Sequence, residues 1–303
     1  MRSRFRLHDY IFVVFLLALS ASFAPGGQAH AQSAAPQVPA GPPDWRQPFP
    51  GHRVIGNLYA VGTAGLSVFL ITSDDGHILI NTGMEDSTPL IRENIEAVGF
   101  NLEDVKILLT QQSHFDHTAA LAEIKALTGA EMWATELDAR VLEDGGLSDP
   151  HLGGAVMFEP IRVDKIIDDG EMIELGDIRL RVHVHPGHTE GSSSYSMQIR
   201  ENGRDYNVVI ANMGTINEGK RMYVDPTYPG VGDDFAQTFR RQRAMSVDVW
   251  VAAHGTQYGM QDKYQPGQPY SPDTFVDPEG FYSEVDRLEQ LYLETVAAER
   301  QAQ

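Results

Sequence analysis

A run of six residues near the middle of the chain carries side chains that bind metal ions. Gln112, His114, Asp116 and His117 fall within the run Gln-Ser-His-Phe-Asp-His. A catalytic zinc ion takes about three protein ligands of histidine or carboxylate type and leaves one position open for water. The run predicts a hydrolytic zinc site, with room for two adjacent metal ions. The alternative is an ordinary solvated polar loop.

Two more histidines stand where predicted strands end. His188 lies in Pro-Gly-His-Thr-Glu-Gly at residues 186–191, where the glycines permit a tight turn that aims a side chain off a strand end. His254 directly follows the apolar run at residues 249–253. Side chains from three strand ends can meet at one rim of a fold, so both histidines are predicted to join the run at residues 112–117.

The elements that must position these side chains alternate between short β-rich runs and helical patterns. The predicted strands are 54–61, 66–72, 77–81, 106–110, 178–184, 195–199, 206–211 and 247–252. The predicted helices are 88–98, 118–127, 135–143, 235–245 and 278–299. Asp74-Asp75-Gly76 and Asn202-Gly203 have the composition of hairpin turns. This mixed order favours sheets covered by helices over an all-β sandwich, with the metal-type run in a strand-to-helix loop.

The first 31 residues have the features of a signal peptide. Three arginines among the first six residues precede an apolar run from Tyr10 to Leu19, and the small residues Ala29 and Ala31 mark a cleavage site. The apolar run is shorter than the roughly 20 residues that a membrane-spanning helix needs. We therefore expect cleavage after Ala31 and a soluble periplasmic protein; an uncleaved membrane anchor is the alternative.

Composition limits the partners of the mature chain. Cleavage after Ala31 removes three Arg and one Asp and leaves 20 basic and 41 acidic side chains, a formal charge of −21. Such a charge disfavours nucleic acid as a partner. The chain has no cysteine, so a metal ion must be held by His, carboxylate or amide oxygen.

The domain organisation is predicted to be simple. Residues 32–50 are rich in Pro, Ala and Gln and are predicted to form an extended leader. Residues 51–303 contain no long Pro/Gly/Ser linker and are predicted to form a single metallo-hydrolase domain, with a monomer as the favoured state.

Together these motifs resemble the metallo-β-lactamase superfamily, in its third lactamase subclass. They resemble in particular the GOB-type members, which carry Gln where the first His ligand is usual. The matching motifs span about residues 57–263 and comprise 57–67, 80–83, 112–117, 187–189, Asn212-Met213 and His254-Gly255. The resemblance implies an α/β fold, a four-layer αβ/βα sandwich in which two mixed sheets are flanked by helices.

The resemblance also implies the ligands of one or two zinc ions. One ion would be held by Gln112, His114 and His188, and the other by Asp116, His117 and His254. An amide oxygen binds zinc less strongly than an imidazole nitrogen does, so the first site is expected to be the weaker one. The alternative is an enzyme that works with a single zinc ion in the second site.

One departure from the wider superfamily bears on the substrate. Lactonases, glyoxalase-type thioesterases and nucleases of the superfamily have a bridging Asp near the position where this chain reads Asn212-Met213. Other lactamase subclasses use a Cys ligand near Met213, and this chain has no cysteine. The thioether of Met213 and the hydroxyl of Thr215 are neutral and cannot bridge two dications, so the missing carboxylate favours lactam over ester hydrolysis.

The expected activity is hydrolysis of the β-lactam amide by metal-activated hydroxide, which would confer resistance to β-lactam antibiotics. Asp116 would be catalytic, by orienting the hydroxide while it binds metal. Thr215 is a candidate for binding the carboxylate of the small-molecule substrate. The alternatives are a lactonase or thioesterase on the same fold, and a periplasmic binding protein that has lost catalysis.

Overall fold

The computed structural model describes residues 38–302. The predicted signal peptide, residues 1–31, lies outside the described residues, as does the start of the predicted leader. The described part of that leader contains a 3-10 turn at Pro43–Trp45, and Pro48 forms a β-bridge with Thr63. None of the helices within residues 38–302 combines the length and the apolar character that crossing a membrane requires.

Seven strands form the first sheet. They are β1 (His52–Ile55), β2 (Leu58–Ala60), β3 (Phe69–Ser73), β4 (Gly76–Ile80), β5 (Val105–Leu109), β6 (Glu131–Ala134) and β7 (Lys165–Ile166). The strands stand in sequence order across the sheet. Strands β1 to β4 pair antiparallel, and β4 to β7 pair parallel, so the sheet is mixed.

Five strands form the second sheet. They are β8 (Met172–Leu175), β9 (Ile178–Val184), β10 (Ser193–Glu201), β11 (Arg204–Ala211) and β12 (Val249–Ala252). Their order is β12-β11-β10-β9-β8, in which only the β11–β12 pair is parallel. The β10–β11 hairpin turns at Asn202 and Gly203, both with positive φ, as the two-residue turn predicted there requires.

Seven α-helices complete the described fold. They are α1 (Thr88–Ala97), α2 (Phe115–Thr118), α3 (Leu121–Thr128), α4 (Glu136–Glu143), α5 (Val231–Arg243), α6 (Met260–Lys263) and α7 (Pro278–Gln301). Two further 3-10 turns lie at Leu102–Asp104 and Gly255–Tyr258.

Alternating side chains on the central strands divide the interior into layers. Ile78 and Ile80 of β4 point into the core that also contains Val182 of β9, whereas Leu79 points the other way. The outer side, with Leu79, is covered by apolar side chains of α1, α3 and α4. Phe281 of α7 packs against the second sheet. The order helix, sheet, sheet, helix confirms the predicted four-layer fold.

The boundaries differ from prediction where backbone geometry overrides the apolar pattern. The predicted strand 54–61 is two strands, because Gly56 takes φ of +53° and turns the chain. A Cβ at Gly56 would lie 2.4 Å from Ile199, which only glycine avoids. The predicted helix 118–127 corresponds to α3, which begins only at Leu121, because Thr118 ends the separate turn α2.

Candidate metal centre

The first ligand group is formed by α2 and by the end of β12. Asp116 and His117 lie in the single turn of α2, and His254 lies two residues past the end of β12, just before the 3-10 turn at Gly255–Tyr258. Asp116 Oδ2 is 3.1 Å from His117 Nε2 and 3.4 Å from His254 Nε2. One ligand atom from each of the three residues lies within 4.8 Å of the others, an arrangement that can hold a metal ion.

The second group joins the 112–117 run to the loop after β9. His114 Nδ1 lies 3.1 Å from His188 Nε2. The other ring nitrogen of His188, Nδ1, lies 2.9 Å from the backbone oxygen of Thr215 and 3.0 Å from its hydroxyl. A proton on Nδ1 therefore has an acceptor, and Nε2 is left with its lone pair directed towards His114.

Gln112 lies beside the second group. Its side chain is buried, and Oε1 accepts a hydrogen bond of 2.9 Å from the His114 backbone N–H. A carbonyl oxygen has two lone pairs, so this bond leaves one available to a metal ion. Five of the six predicted ligands thus face one another through their ring nitrogens or carboxylate, and the sixth orders the backbone at His114. The ligand role of Gln112 stays a prediction.

Backbone contacts explain why these loops have fixed positions. The Oδ1 atom of Asn81, just after β4, accepts from the Gln111 N–H at 2.9 Å, and the Thr82 N–H donates to the His117 carbonyl at 2.8 Å. On the other side, the Gly255 N–H donates to the Gly65 carbonyl at 3.0 Å. The segments at residues 57–67 and 80–83, two of the motifs that carry the family resemblance, therefore hold the ligand loops in position.

The donor set fits a zinc ion. Zinc bonds of about 2.0–2.1 Å in a tetrahedral site place ligand atoms about 3.3 Å apart, close to the separations found here. Among residues 38–302, neither ring nitrogen of the buried His117 has a hydrogen-bond partner. Metal binding also requires neutral imidazole. Burial and the neighbouring His117 ring lower the pKa of His254 to about 4. Burial also holds the pKa of His188 well below its usual range.

Asp116 is the charged member of the site. Burial alone would raise its pKa, but the neighbouring His117 and His254 rings hold it well below its usual range. Asp116 is therefore ionised at neutral pH, as a carboxylate ligand must be.

A second buried carboxylate, that of Asp138, holds two of the ligand loops together. Asp138 of α4 accepts hydrogen bonds from the Ser113 hydroxyl at 3.1 Å, the Thr189 hydroxyl at 3.3 Å and the Gly191 N–H at 3.2 Å. Burial raises the pKa of Asp138 to about 6, although these three donors oppose the shift. Asp138 thereby connects the 112–117 run to the loop that carries His188.

A cavity of about 460 Å³ opens over both ligand groups. It is lined by Trp45, His114, Phe115, Asp116, His151, Leu152, His188, Thr215, Asn217, Glu218, His254 and Gln257. The Trp45 ring lies 6.1 Å from that of Phe115 and 5.6 Å from that of His254, between ring centroids. Trp45 comes from the predicted leader, and nothing in its local sequence indicated that it would form a wall of the site.

Sequence reasoning also missed three residues of the loop at 145–154. Asp149 Oδ2 lies 3.2 Å from His114 Nε2, and His151 and Leu152 line the cavity. The loop is rich in glycine, a composition that fits either a flap at the site or an ordinary surface connection, and no local pattern distinguishes Asp149 from the many other acidic residues.

The loop after β11 contains Thr215 and a buried lysine. Thr215 lines the cavity, where the structure also places it against His188. Lys220 Nζ donates to the backbone oxygens of Gly187 and His188, and burial lowers the pKa of Lys220 to about 8. Met213 is buried in the apolar core and is absent from the cavity wall, so Asn212-Met213 brings no carboxylate to the cavity, whereas Glu218, further along this loop, lines it.

Comparison with curated proteins finds related hydrolases over part of the chain. A probable metallo-hydrolase, YqgX of Bacillus subtilis, is 31% identical over 140 residues, which cover 45% of this chain and 62% of that protein. A hydroxyacylglutathione hydrolase of a Bradyrhizobium species is 31% identical over 141 residues, 44% of this chain and 47% of that protein. The matches therefore span only about half the length of these curated relatives.

Solved structures are similar over almost their whole length. The metallo-beta-lactamase GOB-18 from Elizabethkingia meningoseptica is 39% identical with a TM-score of 0.84, covering 87% of this chain and 98% of that one. The class B3 di-zinc metallo-beta-lactamase LRA-12 from an Alaskan soil metagenome is 42% identical with a TM-score of 0.83, covering 86% and 99%. Residues 62–201 match the family model of the metallo-beta-lactamase superfamily. With its four layers and its histidine-rich rim, this chain belongs to the metallo-beta-lactamase superfamily.

Proposed function

We infer that this protein is a zinc-dependent β-lactamase that hydrolyses the amide of the β-lactam ring. The observation that carries the proposal is the neutral pair Asn212-Met213 after β11, with Met213 buried in the core. A superfamily ester hydrolase is expected to have a carboxylate there. Similarity to two B3 β-lactamases, from an Alaskan soil metagenome and from Bradyrhizobium japonicum, over 99% and 98% of their chains supports the same conclusion.

Bound zinc would lower the pKa of a coordinated water to about 7 and supply positive charge beside the reacting carbonyl. His117, His254 and Asp116 would hold one ion. His114 and His188, with Gln112 beside them, would hold the other. Because Asp116 is ionised and lines the cavity, it is the residue proposed to orient the nucleophile while binding metal.

The cavity wall supplies contacts suited to a small bicyclic substrate. Trp45 and Phe115 form an apolar side, and Thr215 on another side offers a hydroxyl to a substrate carboxylate. The chain has a formal charge of −19, so a carboxylate-bearing substrate needs local positive potential. The proposed metal ions would supply most of it, and the buried Lys220 behind His188 adds to it.

A second candidate is a lactonase or thioesterase. The observation that favours it is the 31% identity with a hydroxyacylglutathione hydrolase over 141 residues, 44% of this chain. Against it stands the absence of a carboxylate at Asn212-Met213.

A substrate panel separates these candidates. Purified zinc-loaded protein would be assayed with a penicillin, a cephalosporin, a carbapenem, an acyl-homoserine-type lactone and a glutathione thioester. We expect kcat/KM for at least one β-lactam to exceed that for the lactone and the thioester by about a hundredfold or more, the size of discrimination that differential transition-state binding readily gives. A thioester or lactone turned over faster than every β-lactam would reject the proposal.

The proposed location is the periplasm. It rests on the arginines, the apolar run and the small residues of the first 31 positions. In that compartment, hydrolysis of β-lactams would protect the cell from these antibiotics.

A further inference from the structure

Asp149 is the one residue of the loop at 145–154 that reaches a predicted zinc ligand. Its Oδ2 atom lies 3.2 Å from His114 Nε2. Both side chains are buried, with Asp149 7% and His114 4% exposed. Within residues 38–302, His114 Nε2 has no aligned hydrogen-bond partner, so the Asp149 carboxylate is the acceptor within reach of this nitrogen.

The tautomer of His114 gives this contact its chemical meaning. His114 Nδ1 faces His188 Nε2 at 3.1 Å, and both nitrogens must present lone pairs if a metal ion lies between them. The single proton of a neutral His114 ring then has to sit on Nε2. A carboxylate at 3.2 Å from Nε2 stabilises that arrangement, because it can accept a hydrogen bond from a protonated Nε2 and repels an Nε2 that carries a lone pair.

The same carboxylate also orders the wall of the cavity. Asp149 Oδ1 accepts from the His151 N–H at 2.7 Å and from the Leu152 N–H at 2.6 Å, and both of these residues line the cavity. The Gly153 N–H donates to the Asp149 carbonyl at 2.8 Å. One oxygen of Asp149 therefore faces the metal ligand, and the other holds the pocket loop.

We propose that Asp149 is a positioning residue that fixes His114 as a zinc ligand through Nδ1 and couples that zinc site to the pocket loop at 145–154. This inference rests on the proposed zinc site of the preceding section. The loop at 145–154 contains none of the predicted ligands, and the proposal makes it a part of the metal centre.

The decisive variant is Asp149→Asn. An asparagine oxygen can still accept from the His151 and Leu152 N–H groups, but its NH₂ group would then face His114 Nε2. An N–H group at Nε2 would then face the N–H donors of the asparagine amide. The ring therefore favours the tautomer with the proton on Nδ1, which blocks metal binding at Nδ1. Loss of partners of this kind typically weakens metal affinity by 10- to 100-fold.

A matched control lies at the base of the same loop, where Asp144 caps the end of α4. Both carboxylate oxygens of Asp144 accept from the Ser148 N–H, at 3.2 and 3.1 Å, and no contact joins Asp144 to His114. Asp144→Asn therefore disturbs the base of the loop without touching the metal ligand, and should leave zinc affinity within about threefold of wild type, the usual range for a change outside the ligand's contacts.

The measurement is zinc binding to the metal-free protein, by competition with a chromophoric chelator, for wild type and both variants. We expect Asp149→Asn to weaken one of two zinc sites by about 10- to 100-fold while the other keeps wild-type affinity, which also shows that the variant is folded. Wild-type affinity at both sites in Asp149→Asn, equal weakening in Asp144→Asn, or a wild-type protein that binds a single zinc would each overturn the inference. Because β-lactam hydrolysis is not the readout, these outcomes leave the proposed activity to its own assay.

Discussion

Replacing Asp116 by alanine is expected to lower kcat/KM for β-lactam hydrolysis by about a thousandfold, the middle of the range for a positioned proton-transfer group. Asp116 Oδ2 lies 3.1 Å from His117 Nε2 and 3.4 Å from His254 Nε2, so its loss leaves that group with two ring nitrogens and no charge to offset a dication. Steady-state kinetics with a chromogenic cephalosporin measure the effect.

Two further variants sharpen this test. Asp116→Asn keeps the shape and one oxygen acceptor but removes the charge, and it should be nearly as inactive as alanine if the carboxylate orients the nucleophile. Asp177→Ala removes an exposed carboxylate from the turn before β9 and should retain wild-type kinetics. An Asp116→Ala enzyme within tenfold of wild type would contradict the catalytic role.

Replacing His188 by alanine is expected to remove one of two zinc ions and to lower kcat/KM by at least about 100-fold, the upper end of the range for partners that support a ligand. His188 Nε2 lies opposite His114 Nδ1 at 3.1 Å, so the substitution removes one of the two ring nitrogens of this group. Zinc content after dialysis and steady-state kinetics are measured on the same preparation.

The result also decides between one and two working metal ions. If a single zinc at Asp116, His117 and His254 does all the work, His188→Ala should keep both its zinc content and its rate. That outcome would reassign His114 and His188 to support of the loop. His117→Ala is the matched comparison, because it removes a ligand from the other group and should abolish activity under either scheme.

The parts of the fold that sequence predicted best are those controlled by local chemistry. The hairpin at Asp74-Asp75-Gly76, the turn at Asn202-Gly203 and the helix before Gly99 all appear where expected, because turn residues and helix ends act over a few positions. The four-layer arrangement is also confirmed.

Sequence was less informative where the contact partner lies far along the chain. Gly56 divides a continuous apolar run, and the reason is a close approach to Ile199, 143 positions away in the second sheet. Periodicity cannot reveal such a contact, since it reports only which face of an element is apolar.

The candidate site shows the same division. His114, Asp116, His117, His188 and His254 could be found because histidines at strand ends form a recognisable pattern. Trp45 and Asp149 could not, because each reaches the site from a segment without a metal-binding pattern, through a contact with a residue distant in sequence. The assignment of ligands to individual metal ions stays a prediction that zinc binding must test.

The most direct test of zinc-dependent lactam hydrolysis is reversible loss of activity on metal removal. Purified protein would be treated with a strong chelator until no zinc is detected, assayed with a penicillin and a cephalosporin, and then titrated with Zn²⁺. We expect hydrolysis to be lost in the metal-free protein and to return in proportion to zinc, reaching a plateau at no more than two ions per chain. Turnover of either β-lactam by fully metal-free protein, or a zinc-loaded protein inactive on all β-lactams, would contradict the proposed function.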